Sequence, residues 1–291
     1  MTRRGWVLFA AMCVLWGIPY LLIKVAVAEV SVAVLVFART ALGALVLLPL
    51  AVRPGAVTVV RAHWRALLVF ALVEIIGPWA LLSDAERVLD SSLTGLLVAA
   101  VPIIAVLAGR LAGDTERLGP LRWTGLGLGL AGVALLAAPH VNAGSGFAIG
   151  EVLLVAVGYA VGPIIAARKL GEVPNMLVTA SCLGFAALVY LPPALLTMPA
   201  ALPAPEVLLA LAGLGLLCTA AAFVLFFELI GEVGPTRAVV FTYVNPAVAV
   251  AAGVLLLGEP LTATVLAAFV LILLGSVLAT RQRRLRQDRW A

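Results

Sequence analysis

Few side chains in this sequence can do chemistry, and they stand in unusual places. Glu74 lies in Ala71-Leu72-Val73-Glu74-Ile75-Ile76, Arg39 in Phe37-Ala38-Arg39-Thr40-Ala41-Leu42, and Lys24 directly after Leu21-Leu22-Ile23. Holding an ionised group inside so apolar a stretch costs a few kcal/mol, so each must face a polar partner or an aqueous cavity. Glu74 has two readings. It is a contact for a substrate ammonium group or a proton-coupling site; otherwise it is a structural pair with Arg39 or Lys24, or a neutral carboxyl hydrogen-bonded to a neighbouring helix. Arg39 is expected to act structurally, as a clamp on helix-end carbonyls or on Glu74. Lys24 is expected to be a structural charge that snorkels to the headgroups. The familiar catalytic patterns are missing: the sequence holds no GxxxxGK[ST], HExxH or GxSxG. Without them there is no P-loop use of ATP and no implied metal or cofactor, and catalytic residues are assigned to none. Cys13, Cys182 and Cys218 lie singly in apolar runs and are expected to be free packing thiols. His63 and His140 are expected in turns.

These groups need elements to hold them, and composition says which. Of 291 residues, 64% are hydrophobic and 11% charged, with a mean hydropathy of +1.19. A water-soluble domain of this length needs far more charge, so the bilayer is the solvent. The formal net charge of +5 does not indicate nucleic acid, because the basic residues sit in short turns and in the C-terminal run, where anionic lipid is the better partner. Runs long enough to cross fall at about 6–28, 32–52, 64–83, 90–110, 121–139, 147–168, 175–197, 206–230, 236–257 and 262–280. The first is read as a true span, not a signal peptide, because it is too long for a signal core and carries Lys24. Nearly all basic turn residues, from Arg3 and Arg4 to the Arg281–Arg289 run, then fall on one side, with Arg87 alone on the other. That bias predicts a multi-pass cell (inner) membrane protein with both termini in the cytoplasm.

The spans repeat. Pro19 and Pro163, Lys24 and Arg168, and Pro102 and Pro246 recur 144 residues apart; Glu116 and Glu259, and Gly132 and Gly275, recur one residue closer. Five spans per half is an odd number, so the second half must enter the membrane upside down. The prediction is an all-α integral membrane fold: ten transmembrane helices as two inverted five-helix repeats around a central cavity. The first repeat covers 1–140 and the second 147–280, followed by a basic tail at 281–291. Inverted repeats place substrate near mid-membrane at their interface, beside interrupted helices. Pro19, Pro102, Pro163 and Pro246 are therefore candidates for kinks or gates, with a simple packing bend as the alternative. Trp16, Tyr20, Trp79, Tyr159, Phe223, Phe227, Tyr243 and Asn245 join Glu74 as candidates to line the cavity, with helix packing as the alternative. Trp6, Trp64, Trp123 and Trp290 fall at span ends as an interfacial belt. Gly125 and Gly129 form a GxxxG suited to internal packing.

Several of these residues resemble a known family. Trp16-Gly17-Ile18-Pro19-Tyr20, Arg39, Val101-Pro102 with Glu116-Arg117-Leu118 and Gly125…Gly132, and the second copy Asn245-Pro246, Gly258-Glu259-Pro260-Leu261 and Gly275 are similar to the signatures of the drug/metabolite transporter superfamily, EamA branch. The resemblance departs at Asp114-Thr115, inserted before Glu116, and at the sixth helix, which has Tyr159 but no counterpart of Trp16. It implies two EamA repeats and export or exchange of small metabolites, often amino acids. The resulting expectation is a secondary transporter, not an enzyme, whose partners are a small-molecule substrate and the lipid bilayer, as a monomer or homodimer. The competing classes are an intramembrane enzyme, for which Glu74 and Arg39 are too few polar groups, and a passive channel, which needs charge rings that the sequence lacks.

Overall fold

The structure is a computed structural model and describes residues 1–113, 119–140 and 145–280. Glu116-Arg117-Leu118 with Asp114-Thr115, the basic tail and Trp290 lie outside the described residues. Nine helical stretches among the described residues are long and apolar enough to cross a membrane. The tenth crossing, residues 235–257, is divided.

The first span is α1 (Arg3–Leu15) and α2 (Pro19–Ala26), separated at Trp16–Ile18. The second is α3 (Val32–Ala51). The third begins at α4 (Ala56–Ala71), passes through a π-helical segment, Leu72–Ile76, and ends in α5 (Gly77–Ala85). The fourth is α6 (Ser91–Val98) and α7 (Val101–Leu111), and the fifth is α8 (Pro120–His140). In the second half, α9 (Gly146–Lys169) and α10 (Asn175–Leu196) are continuous. The eighth span joins α11 (Pro205–Ala212), a nine-residue π-helical segment Gly213–Ala221, and α12 (Ala222–Val233). The ninth consists of α13 (Pro235–Ala238), a 3₁₀ segment Val239–Tyr243, and α14 (Asn245–Leu257); α15 (Ala263–Thr280) completes the chain.

The third span starts eight residues earlier than its hydropathy suggests, because Gly55, at φ 86°, turns the chain directly into α4. His63 is consequently helical, with Nδ1 3.0 Å from the Val59 carbonyl oxygen, and not in a turn.

Two pairs of helices flank the centre. In one, α3 packs on α10; in the other, α8 packs on α15. The second pair has almost no side chain between backbones: Gly125, Gly129 and Gly132 of α8 face Gly275, Ile272 and Ala279 of α15. The GxxxG therefore serves packing inside the chain, by the close approach that small residues allow. The three cysteines are free and buried. Trp6 and Trp123 are about half exposed near span ends; Trp64, exposed to a similar degree, lies two turns inside α4 because that helix starts early.

The Gly129–Gly275 contact yields a graded test. Replacing Gly275 with Leu forces a side chain into the Gly129 backbone and should lower stability by about 1–3 kcal/mol, read as an earlier thermal transition of the purified protein. Gly127, on the same helix with nothing within 4 Å of an added Cβ, should accept Leu without change.

Candidate functional site

Every interruption in the helices frees backbone groups that lipid cannot satisfy, and each is met by a side chain from another element. Trp16, at the break between α1 and α2, donates its indole Nε1–H to the Cys218 carbonyl in the second π segment (3.2 Å). Tyr190 donates its hydroxyl to the Ile76 carbonyl at the end of the first (2.8 Å). Ser276 of α15 donates to the Ala99 carbonyl at the break before α7 (3.1 Å). The Asn245 amide nitrogen, turned toward its acceptors, donates to the carbonyls of Phe241 and Cys13 (3.1 and 3.3 Å). The two π segments are themselves repeat-related: Glu74 of the first and Cys218 of the second are 144 residues apart.

Between these interruptions lies a cavity of about 310 Å³. Trp16, Tyr20, Glu74, Trp79, Tyr159, Phe223 and Asn245 line it, with Arg39, Pro19, Pro102 and Pro246. Arg39, buried, stacks its guanidinium 3.6 Å from the Trp79 ring centroid and donates from Nε to Thr219 Oγ1 (3.1 Å). Glu74 emerges from the first π segment against Gly162 of α9, where an added Cβ would overlap its carboxylate. Its Oε2 is buried and has no hydrogen-bond partner. The alternative of a structural pair with Arg39 or Lys24 is not formed: the ion pairs among the described residues are Arg4–Glu228 and Arg87–Asp84.

Four sequence expectations need correction. Lys24 does not snorkel: its Nζ turns inward and donates to the carbonyls of Glu86 and Leu89 (2.9 and 2.8 Å), closing the C-terminal end of the third span. Pro163 lies in the unbroken α9 and is exposed, away from the cavity. Phe227 stacks on Phe223 one helical turn below the lining. Tyr243 hydrogen-bonds Thr280 of α15, and its neighbour Thr242 faces the cavity instead, because a 3₁₀ turn changes which residues share a face. The sequence reading missed Gly162, Gly95 and Cys218. The cue was available at Gly95 and Cys218, since a small residue inside a span marks a close approach.

The cavity is closed at one end by a contact between the repeats. Call the end where the chain starts the near end. At the far end, Gly258 (φ 68°) caps α14 and swings Glu259 over the N-terminus of α6. Glu259 Oε1 accepts from Ser91 N and Oγ, both at 2.8 Å; Oε2 accepts from Ser92 N (2.9 Å) and from Ser92 Oγ. A carboxylate there satisfies helix-start donors and opposes the positive end of the helix dipole. Behind it, Gly253 leaves room for Glu259 and Ser92, and Gly95 meets Ala249 and Tyr20. At the near end, α7 and the Val239–Tyr243 segment share no comparable packing, and Thr242 is exposed.

Burial pushes the Glu259 carboxyl up, but the hydrogen bonds from Ser92 and Ser91 outweigh it and hold the group below its ordinary 4.5. A depressed carboxylate contributes its stabilisation above the unfolded-state value and loses it as pH falls through the lowered value. The far-end contact is thus expected intact at neutral pH and lost only in acid below 4.5. Glu259→Ala should speed hydrogen exchange of the Ser91 and Ser92 amides at pH 7 by about tenfold or more, as one charge-assisted hydrogen bond is worth ~1.5–3 kcal/mol. Unchanged exchange would show that the carboxylate does not hold this end.

A two-repeat helical bundle with broken crossings around a central cavity defines a multi-pass membrane-transporter architecture. The comparisons agree. The model of the EamA-like transporter family matches residues 3–138 and again 146–281, and the chain belongs to that family, within the drug/metabolite transporter superfamily. It is a membrane transporter, not an enzyme. It is 27% identical over 272 residues to the "Uncharacterized inner membrane transporter YedA" of Escherichia coli (strain K12), covering 93% of this chain and 88% of that protein. The YedA proteins of strains O6:H1 and O157:H7 match to the same extent. A protein of known crystal structure superposes with a TM-score of 0.64 over 96% of this chain and 97% of its own, at 21% identity, which speaks to the fold.

Proposed function

We propose that this transporter is a secondary carrier of the inner membrane, which binds a small zwitterionic metabolite, an amino acid with an aromatic or bulky apolar side chain, in the central cavity and moves it outward by alternating access. The observation that carries this reading is a half-buried glutamate whose Oε2 is buried and without a partner, and one buried guanidinium, in the same aromatic-walled space. Glu74 would take the ammonium group and Arg39 the carboxylate, while Trp16, Tyr159 and Phe223 cover the side chain. About 310 Å³ is at the small end of ligand cavities and suits a solute of that size. Inner-membrane residence accords with the YedA name, and cytoplasmic termini with the basic near end. In that orientation the Glu259 contact closes the outer side and the chain stands open inward. Export follows the family resemblance.

Proteoliposome counterflow tests the proposal. Preloaded unlabelled amino acid should drive saturable uptake of labelled amino acid, which neither a channel nor an enzyme gives. Glu74→Gln should raise the half-saturating concentration about ten- to a hundredfold, the worth of one hydrogen bond to a charge, while size-exclusion profiles stay unchanged. Arg39→Lys should also impair transport, because a lysine cannot both stack on Trp79 and present a planar fork. Absence of saturable exchange across amino acids would sink the substrate assignment. Glu74→Gln with wild-type kinetics would remove that residue from the site.

A further inference from the structure

A second and larger hollow lies outside the central cavity. It is a groove of about 860 Å³ between α4, α7 and α9, walled by aliphatic side chains such as Val69, Ile104, Leu107, Val161 and Ile164. At one end stand Arg65, Arg168 and Lys169, all exposed. The ion pairs within 4 Å among the described residues are Arg4–Glu228 and Arg87–Asp84, so these three cations have no carboxylate partner among the described residues. Arg168 holds α7 through the Ala112 carbonyl, which occupies one of its five N–H donors. Arg65 lies 5.4 Å from the ring centre of Trp64, a half-exposed tryptophan of the kind that sits at headgroup depth.

We propose that this groove is a binding site for an anionic phospholipid, with an acyl chain along the aliphatic wall and the phosphate on Arg65, Arg168 and Lys169. Three features select this occupant. The wall on α9 runs from Val157 to Lys169, about 18 Å at 1.5 Å per residue, close to the ~15 Å depth of one leaflet's hydrocarbon. The walls hold no aromatic ring, which fits a flexible chain better than a planar solute. Two arginines and a lysine at the headgroup level form a basic pocket between transmembrane helices, the arrangement that recognises acidic headgroups.

Native mass spectrometry of the detergent-purified chain tests the site, with phosphatidylglycerol and phosphatidylcholine of identical acyl chains as probes. Phosphatidylglycerol should be retained at least tenfold more strongly. Arg168→Gln with Lys169→Gln should remove most of that preference, about fivefold per charge. Ala108→Trp fills the groove, leaves all three cations, and should weaken retention of phosphatidylglycerol as well. Equal retention of both lipids would overturn the proposal, as would unchanged binding in either variant. Displacement of phosphatidylglycerol by inorganic phosphate alone at equal concentration would reassign the basic end to a free anion. If the double variant is not monodisperse, Arg65→Gln and Ala108→Trp decide the matter.

Discussion

In the bilayer, every backbone N–H and C=O must find a partner within the protein, and this requirement organises the whole molecule. The helices can be interrupted only where another element supplies the missing partner. All the interruptions lie where the repeats meet, and the partners come from across that boundary or from the flanking helices: Trp16 on Cys218, Ser276 on Ala99, Tyr190 on Ile76, Asn245 on Cys13. Two of these partners, Trp16 and Asn245, also line the cavity, so part of its wall is what makes the broken helices tolerable.

This dual use explains the distribution of charge. Lys24 is embedded but occupied on helix-end carbonyls, while Arg39 commits Nε to Thr219 and its face to Trp79. Glu259 is spent on the start of α6. Glu74 Oε2 and both carboxyl oxygens of the buried Glu86 have no hydrogen-bond partner; of the two acids Glu74 lines the cavity, where Gly162 keeps the space that holds it. Among the described residues no group of three or more His, Cys, Asp and Glu is placed to hold a metal ion.

Much of this was legible in the sequence, for physical reasons. Apolar run length gives the spans, and the repeat offset gives the pairing of halves, because both are one-dimensional signals. Pro19, Pro102 and Pro246 each stand at the first or second position of a helix segment, where a residue without an N–H fits. What failed was rotation. Hydropathy cannot show that the ninth span winds as 3₁₀ around Tyr243, so the wrong neighbour was placed in the cavity. Nor does it show whether a lysine near a span end turns outward to headgroups or inward to carbonyls. Pro163 sat in the pattern with its partner Pro19, yet α9 stays whole and carries that proline on its outer face. The EamA halves are alike in order but not identical in winding.

The two π segments carry a further implication. A π turn amounts to one residue inserted in an α-helix, and one residue is worth about 100° of rotation. In the third span, the register before Leu72 is therefore out of phase with the register after Ile76. In a continuous α-helix Arg65 and Trp79, fourteen positions apart, would stand within about 40° of each other; one inserted residue opens that to about 140°, so Arg65 is exposed on one face while Trp79 faces the interior on another. The segment works as a phase shifter, and deleting one residue from it would keep the span's length and hydropathy nearly intact while turning its binding face toward the wrong neighbour.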